Sequence, residues 1–202
     1  NRSKFDRTII IKTKMKKIGI TGSIASGKTT ASKILSARRG PLFSADEVVK
    51  NLYKKESFKN LIRKKFSIKE KFNIKKILKN KILADKANIN KLEKLIHPLV
   101  RKEMKSFSKK HKKKSLIFYE IPLLIESNLM KYFDVIYFIQ AKKKIRFRRF
   151  ISKGGKRDFF EILNKKQLMD KKKVKYCDHI IKNEKNIKIL KKKLLDILNN
   201  DE

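Results

Sequence analysis

Short apolar runs alternate with amphipathic segments along most of the chain. The apolar runs are typical of buried strands, and they lie at residues 18–20, 41–43, 116–119, 135–139 and 179–181. Most of them are separated by segments whose apolar residues recur at the spacing of a helix. Strands that alternate with helices form a parallel sheet with helices on both of its faces. The pattern therefore predicts an α/β fold of three layers, α/β/α, around a five-stranded parallel sheet.

The stretch from residue 57 to 110 departs from this alternation because it has no strand pattern. Its apolar residues at helical spacing include Phe58, Leu61, Ile62, Leu92, Leu95 and Ile96. We therefore predict a single domain whose core comprises residues 15–56 and 115–202, with a helical insertion at about 57–110. This insertion lies between the second and third predicted strands.

Two segments in the C-terminal part complete the pattern. Residues 153–157, Lys-Gly-Gly-Lys-Arg, interrupt a helical region and predict a flexible basic loop. We place this loop in a lid at about residues 146–172. Residues 187–198 have the apolar spacing of an amphipathic helix that packs on the core.

The first fourteen residues fit none of these elements. The apolar run at 9–11 is too short for the core of a secretory signal, and Met15 directly precedes the first strand. We expect Met15 to be the natural start and residues 1–14 to be an N-terminal extension or an artefact. A basic targeting tail is the alternative.

The charge of the chain is strongly positive, with 57 basic and 19 acidic residues and a net charge of +38. Such a charge attracts nucleic acid and small anionic substrates alike. Because the basic residues are spread over nearly the whole chain, we expect non-specific nucleic-acid binding and no specific nucleic-acid partner. The single cysteine, Cys177, excludes an intramolecular disulfide and fits a cytoplasmic location. No apolar stretch approaches the roughly 20 residues of a membrane helix, so we expect no membrane partner.

One motif names a ligand chemistry. It reads G-x-x-x-x-G-K-[ST] and follows a predicted strand, as a phosphate-binding loop does. It predicts that the phosphates of a nucleotide are bound by Gly22, Ser23, Ile24, Ala25, Ser26, Gly27, Lys28, Thr29 and the following Thr30. Backbone amides of such a loop surround a phosphate, the lysine reaches the outer phosphates, and the threonine hydroxyl helps to hold Mg²⁺.

Phosphoryl transfer also needs an acceptor for a proton and cations for the developing charge. Asp46 follows the second predicted strand, where it is either a general base or the N-cap of a helix at 47–53. Glu120 ends the third strand, where it either contacts Mg²⁺, directly or through water, or starts a helix. Arg149 is a candidate cation from the lid, with solvated surface as the alternative. His97 is a helix-end or packing histidine on spacing alone.

Taken in order, these residues resemble the dephospho-CoA kinase family, whose members catalyse the last step of coenzyme A synthesis. The resemblance covers the chain from about Met15 to the C-terminal helix. It rests on the phosphate loop and on four further segments: Ser44-Ala45-Asp46, residues 92–101 around His97-Pro98, residues 120–127 around Pro122-Leu123-Leu124, and residues 177–183.

The resemblance implies a P-loop kinase that phosphorylates the 3′-hydroxyl of dephospho-CoA with ATP and Mg²⁺, as a monomer or small homo-oligomer. It implies Asp46, Lys28 and Arg149 as catalytic residues, and Lys153 and Asn183 as further ATP contacts. The implied dephospho-CoA site comprises Asp46, His97, Pro98, Arg101, Leu123 and Glu126. Thr29 and Glu120 are the implied metal contacts.

Several positions depart from the family pattern. Ser44 and Glu120 each replace an aspartate, and Lys153 replaces an arginine. Ser23 and Ala25 replace glycines, so Ala25 requires either a negative φ or modest backbone strain. Two rival functions remain: another small-molecule kinase, such as a nucleoside monophosphate kinase, and a basic nucleic-acid-binding protein that uses nucleotide as a switch.

Overall fold

The structure is a computed structural model that describes residues 15–201, so the expected extension at 1–14 lies outside the described residues. Each of the five predicted strands is present, and its ends lie within two residues of the predicted ones. The strands are β1 (Lys16–Gly22), β2 (Leu42–Ser44), β3 (Leu116–Glu120), β4 (Val135–Gln140) and β5 (His179–Lys182).

All neighbouring strands pair in parallel, in the order β2-β3-β1-β4-β5. The central strands β3 and β4 are almost entirely apolar and buried, as in parallel sheets that are covered on both faces. The predicted α/β fold is therefore confirmed. The chain runs from β1 towards one edge of the sheet and later, from β3, to β4 on the other side of β1. Ligands of such sheets bind at the carboxyl ends of the strands at this switch point.

Nine α-helices lie within residues 15–201: α1 (Lys28–Ser36), α2 (Ala45–Leu52), α3 (Glu56–Phe66), α4 (Ile74–Ala84), α5 (Ala87–Lys110), α6 (Lys143–Ile151), α7 (Arg157–Lys166), α8 (Asp170–Lys173) and α9 (Ile187–Asp201). Helices α1 and α9 cover one face of the sheet, where Leu35 and Leu194 are fully buried. Helix α5 covers the other face, where Val100 and Met104 pack against β3. These helices and the sheet form the three predicted layers.

Helices α3, α4 and α5 occupy the region between β2 and β3 in which an insertion is predicted. They share an apolar cluster of their own that includes Phe58, Ile62, Phe66 and Leu78. The division into core and insertion stays a prediction. No helix among residues 15–201 has the length and apolar content to span a membrane.

The structure corrects the start of the helix that was predicted at 47–53. Helix α2 begins at Ala45, and its N-cap is Ser44, whose Oγ accepts a hydrogen bond from the Glu47 amide at 3.4 Å. The alternative interpretation of Asp46 as the N-cap is therefore wrong, because a residue inside the first turn cannot be the cap. The Asp46 carboxylate is left available for another contact.

Candidate active site

The phosphate loop, residues 22–29, joins the carboxyl end of β1 to the first turn of α1. Gly27 precedes the helix with φ 98° and ψ 22°, a left-handed conformation that glycine adopts freely. No residue in the described range 15–201 caps this helix through a side chain. The first amides of α1 are therefore available to an anion, and the helix dipole favours negative charge at the same point.

Ala25 has a left-handed backbone with φ 57°. Of the two alternatives for Ala25, a negative φ or modest backbone strain, the structure has the strained one. A left-handed residue with a side chain costs about 1–2 kcal/mol, because its Cβ approaches the next carbonyl oxygen. The loop accepts this strain at a position where the family motif has glycine.

Asn183 packs directly against the loop. Its side chain is buried and donates a hydrogen bond from Nδ2 to the Ser26 carbonyl oxygen at 2.8 Å. A Cβ at position 27 would lie 2.2 Å from the same Nδ2, which is closer than van der Waals contact allows. Gly27 is therefore required both for its backbone conformation and for the approach of Asn183. The role of Asn183 in ATP binding stays a prediction.

Lys28 is the central cation of the site. Its side chain is only 8% exposed, and Nζ donates to the Ser23 carbonyl oxygen at 3.0 Å. Burial lowers the pKa of Lys28 to about 8, while the nearby carboxylates of Asp46 and Glu120 act in the opposite direction. These two carboxylates therefore face the loop closely enough to act on its lysine.

Thr29 and Glu120 form an oxygen pair beside Lys28. The Thr29 hydroxyl donates to Glu120 Oε1 at 2.5 Å, and the Glu120 side chain is almost fully buried. Oxygen ligands of this kind suit Mg²⁺, which keeps waters and phosphate oxygens as its other ligands. Residues 15–201 contain no cluster of three or more His, Cys, Asp or Glu side chains that could hold a metal alone. The pair thus fits a metal that arrives with a nucleotide.

Arg149, on α6, reaches the far side of the loop. Its Nη1 donates to the Ser26 carbonyl oxygen at 3.2 Å, and its Nη2 donates to the Asn183 carbonyl oxygen at 3.1 Å. The guanidinium therefore links the loop to the end of β5. The solvated-surface alternative for Arg149 is wrong, because the side chain is committed to these two carbonyl groups.

A cavity of about 750 Å³ lies above the loop and collects most of the predicted site. The predicted residues on its wall are Ile24, Ala25, Gly27, Lys28, Thr29, Thr30, Asp46, Glu120, Leu123, Arg149, Lys153 and Asn183. Ser23 and Ser26 are buried within the loop instead. The cavity is therefore bounded by the phosphate loop, by the ends of β3 and β5, and by α2 and α6.

A second cavity of about 290 Å³ adjoins the first. It lies between α2, α5 and α7, and most of its wall is apolar. Asp46 and Leu123 line both cavities. Two carboxylates, Asp46 and Glu93, therefore lie at the junction of a phosphate-binding cavity and an apolar one. Glu93 is paired with Lys166 Nζ at 3.0 Å, whereas Asp46 lies close enough to Lys28 to act on its pKa.

The predicted second-substrate residues on α5 lie beside this apolar cavity. His97 and Arg101 line it, and both also line a hollow of about 400 Å³ together with Pro98. His97 lies in the middle of α5 rather than at a helix end, and burial lowers its pKa. Burial therefore favours the neutral form of the His97 side chain.

Glu126 lies apart from both cavities among the described residues. Its Oε1 is 2.7 Å from Nζ of the fully buried Lys173 and also accepts a hydrogen bond from the Leu168 amide at 3.1 Å. In this arrangement Glu126 anchors the segment after α7. Its predicted contact with a substrate has no support from this placement.

Three residues near the loop lay outside the candidate set derived from the sequence. Arg146 donates to the Ile24 carbonyl oxygen, Gln167 accepts from the Ile24 amide, and Asp170 accepts from the Ser23 hydroxyl. A chain with 57 basic residues offers no signal that singles out Arg146. Gln167 lies in the predicted lid without a predicted role, and Asp170 belongs to no motif.

Comparisons with known proteins agree on one family. The family model described as dephospho-CoA kinase matches residues 16–188. A dephospho-CoA kinase of Bartonella quintana is 34% identical over 191 residues, which cover 92% of this chain and 98% of the relative. A dephospho-CoA kinase of Fusobacterium nucleatum is 34% identical over 182 residues, which cover 88% and 94%.

Solved structures support the fold. A crystal structure of a Thermus thermophilus protein matches with a TM-score of 0.75, at 23% identity, over 93% of this chain and 98% of that one. A structure of a dephospho-CoA kinase from Campylobacter jejuni matches with a TM-score of 0.61, at 23% identity, over 92% and 97%.

Proposed function

The chain belongs to the dephospho-CoA kinase family, and from this membership we propose that it phosphorylates the ribose 3′-hydroxyl of dephospho-CoA with ATP. The products are coenzyme A and ADP, and the reaction is the final step of coenzyme A synthesis. ATP and dephospho-CoA are accordingly its partners.

One observation carries the assignment of roles: Asp46 lies on the wall that the two cavities share. The phosphate loop gives the larger cavity its affinity for the triphosphate of ATP. The apolar wall of the smaller cavity, with Arg101 at its rim, suits an acceptor that has both an apolar arm and phosphate groups. An acceptor hydroxyl at the junction would meet the γ-phosphate beside a carboxylate.

Asp46 then acts as the general base. The 3′-oxygen attacks the γ-phosphorus, its proton passes to the Asp46 carboxylate, and the bond from the γ-phosphorus to the β,γ-bridging oxygen breaks to release ADP. Lys28 and Arg149 lie on the wall of the same cavity. Their positive charges stabilise the negative charge that builds up on the transferred phosphoryl group. Lys153, on the loop after α6, adds a cation from the lid.

We propose Mg²⁺ as the metal of the reaction, held by Thr29 and Glu120 on the protein side. When bound, the ion neutralises charge on the β- and γ-phosphates. The protein contributes the fixed position of the two oxygens, because Thr29 lies in the first turn of α1 and Glu120 ends a buried central strand.

We also propose a cytoplasmic location, which the metabolic role of the family supports. The lone Cys177 is free, and burial raises the pKa of its thiol to about 12. Such a thiol is unreactive near neutral pH and fits a protein with no redox function.

An acceptor panel tests the proposal. The protein is incubated with Mg²⁺ and ATP, and separately with dephospho-CoA, AMP or single-stranded RNA, and the products are separated by chromatography. We expect ADP and coenzyme A with dephospho-CoA alone. Transfer to AMP in the absence of transfer to dephospho-CoA would support a nucleoside monophosphate kinase instead. Tight RNA binding with a steep salt dependence and no acceptor turnover would support the nucleic-acid-binding rival.

A further inference from the structure

Side chains of the predicted lid form hydrogen bonds with the first residues of the phosphate loop, Ser23 and Ile24. Both backbone groups of Ile24 are used: its amide donates to Gln167 Oε1 at 2.9 Å, and its carbonyl oxygen accepts from Arg146 Nη1 at 3.3 Å. The neighbouring Ser23 hydroxyl donates to Asp170 Oδ1 at 2.5 Å. Three side chains therefore fix two consecutive loop residues.

These contacts are partly buried, and two of the residues that form them are buried. Ser23 is 3% exposed and Arg146 is 7% exposed. Arg146 is itself held by the Ala141 carbonyl oxygen at 3.0 Å and by Asn164 Oδ1 at 2.9 Å. Asp170 lies close enough to Arg146 to act on its pKa, which burial lowers and the carboxylate raises. The contacts thus form one partly buried network of hydrogen bonds.

Ser23 connects this network to the catalytic lysine. Its side chain binds Asp170, while its carbonyl oxygen accepts hydrogen bonds from Lys28 Nζ at 3.0 Å and from the Ser26 amide at 3.1 Å. A chain of contacts therefore runs from Asp170 through Ser23 to Lys28. The family motif has glycine at position 23, which has no hydroxyl for such a contact.

We propose that Asp170 is a positioning residue that acts through the Ser23 hydroxyl to hold the phosphate loop in its ATP-binding shape. The inference rests on the proposed use of ATP. Because Arg146 lies near the start of the predicted lid and Asp170 near its end, both ends of the lid are anchored to the loop.

The effect is expected in binding rather than in the chemical step. Neither Asp170 nor Ser23 lines the cavity, so neither touches a reacting atom. A loop that is less well fixed binds the triphosphate more weakly in the ground state and the transition state alike. The KM for ATP should therefore rise while kcat changes little.

A double-mutant cycle tests the inference. ATP dissociation constants, measured by calorimetry without an acceptor, are compared for the wild type, Asp170→Ala, Ser23→Gly and the double variant. We expect each single variant to weaken binding about three- to tenfold, the typical worth of one hydrogen bond, and the double variant to be no weaker than either. Asp170→Asn keeps an acceptor for the hydroxyl and should stay within about twofold of the wild type. Lys171→Ala, an exposed change on the same short helix, is the matched control.

The inference would be overturned if the losses of ATP affinity in the two single variants multiplied in the double variant. It would also be overturned if Asp170→Ala bound ATP as tightly as the wild type, or if this variant had a lower kcat at an unchanged KM for ATP. If Asp170→Ala does not fold, Ser23→Ala tests the same hydrogen bond from its other side. A wild type that binds ATP without making coenzyme A would refute the proposed function, while the binding cycle would still decide the role of Asp170. A wild type that does not bind ATP would refute both.

Discussion

Thr29 and Glu120 are joined by a hydrogen bond of 2.5 Å between the threonine Oγ1 and the glutamate Oε1. The contact brings the end of a central strand to the first turn of the helix that follows the phosphate loop. It places side by side the hydroxyl and the carboxylate that we propose as ligands of Mg²⁺.

The first prediction concerns this pair. Glu120→Gln keeps the shape and an acceptor for Thr29 but removes the charge. We expect the Mg²⁺ concentration for half-maximal turnover to rise about tenfold or more, as when other carboxylates around a metal site are altered. A titration of turnover against Mg²⁺ measures the effect, and chelation by EDTA should abolish turnover in both proteins. An unchanged Mg²⁺ dependence would remove Glu120 from the metal site.

Replacement of Asp46 by asparagine, its amide, tests the proposed role of Asp46 as the general base. Asp46→Asn should fold and bind ATP like the wild type, because the side chain is not the helix cap. Turnover should fall about 10²–10⁴-fold, since the 3′-hydroxyl loses its proton acceptor. Steady-state rates and ATP calorimetry measure the two effects. The neighbouring Glu47→Gln is the control, because Glu47 is exposed and pairs with Lys50. Near-normal turnover in Asp46→Asn, or a similar loss of turnover in Glu47→Gln, would contradict the role of Asp46 as the base.

The pH dependence of ATP binding follows from Lys28. Its pKa in the free protein is about 8, and bound phosphates raise that pKa further. The contribution of the charged lysine is therefore fully present below pH 8 and is lost as the pH rises through the pKa of the complex. We expect the ATP dissociation constant to increase about tenfold per pH unit above pH 8, with uptake of a proton.

Calorimetry in buffers of different ionisation enthalpy detects that proton directly. Lys28→Arg is the matched variant, because arginine stays charged throughout this range. Its affinity should be flat between pH 8 and 9.5. An equally flat profile in the wild type would show that Lys28 does not change its protonation state on binding ATP.

Ala25 offers a test of the strain in the loop. Ala25→Gly should raise the free energy of unfolding by about 1 kcal/mol, because glycine adopts a φ of 57° without the contact of Cβ. That gain corresponds to a rise of about 2–4 °C in Tm for a chain of this length. Ala31→Gly, inside α1, is the control and should lower Tm, since glycine destabilises a helix interior. A lower Tm for Ala25→Gly would mean that position 25 is not strained.

The parallel sheet and the nucleotide-binding loop could be predicted because each depends on a local sequence pattern. Strands β3 and β4 are continuous apolar runs that a parallel sheet buries on both faces, and the loop motif has fixed spacing. The cap of α2 was missed because Ser44 and Asp46 both suit an N-cap, and only the backbone conformation distinguishes them.

Long-range polar contacts were also beyond the sequence. Glu126 matches a family signature, yet its partner Lys173 is one lysine among many and lies 47 positions away along the chain. Asp170 contacts Ser23 only because α8 folds back onto the phosphate loop. Such pairings depend on the packing of distant elements, which periodicity and spacing do not report.

The most direct measurement follows the phosphoryl group itself. ATP labelled at the γ-phosphate is incubated with the protein, Mg²⁺ and dephospho-CoA, and the product is located by ³¹P NMR and chromatography. We expect the label on the ribose 3′-oxygen of coenzyme A, at a rate that Asp46→Asn lowers about 10²–10⁴-fold. Label that appears only in inorganic phosphate, or on another acceptor oxygen, would contradict the placement of the 3′-hydroxyl beside Asp46.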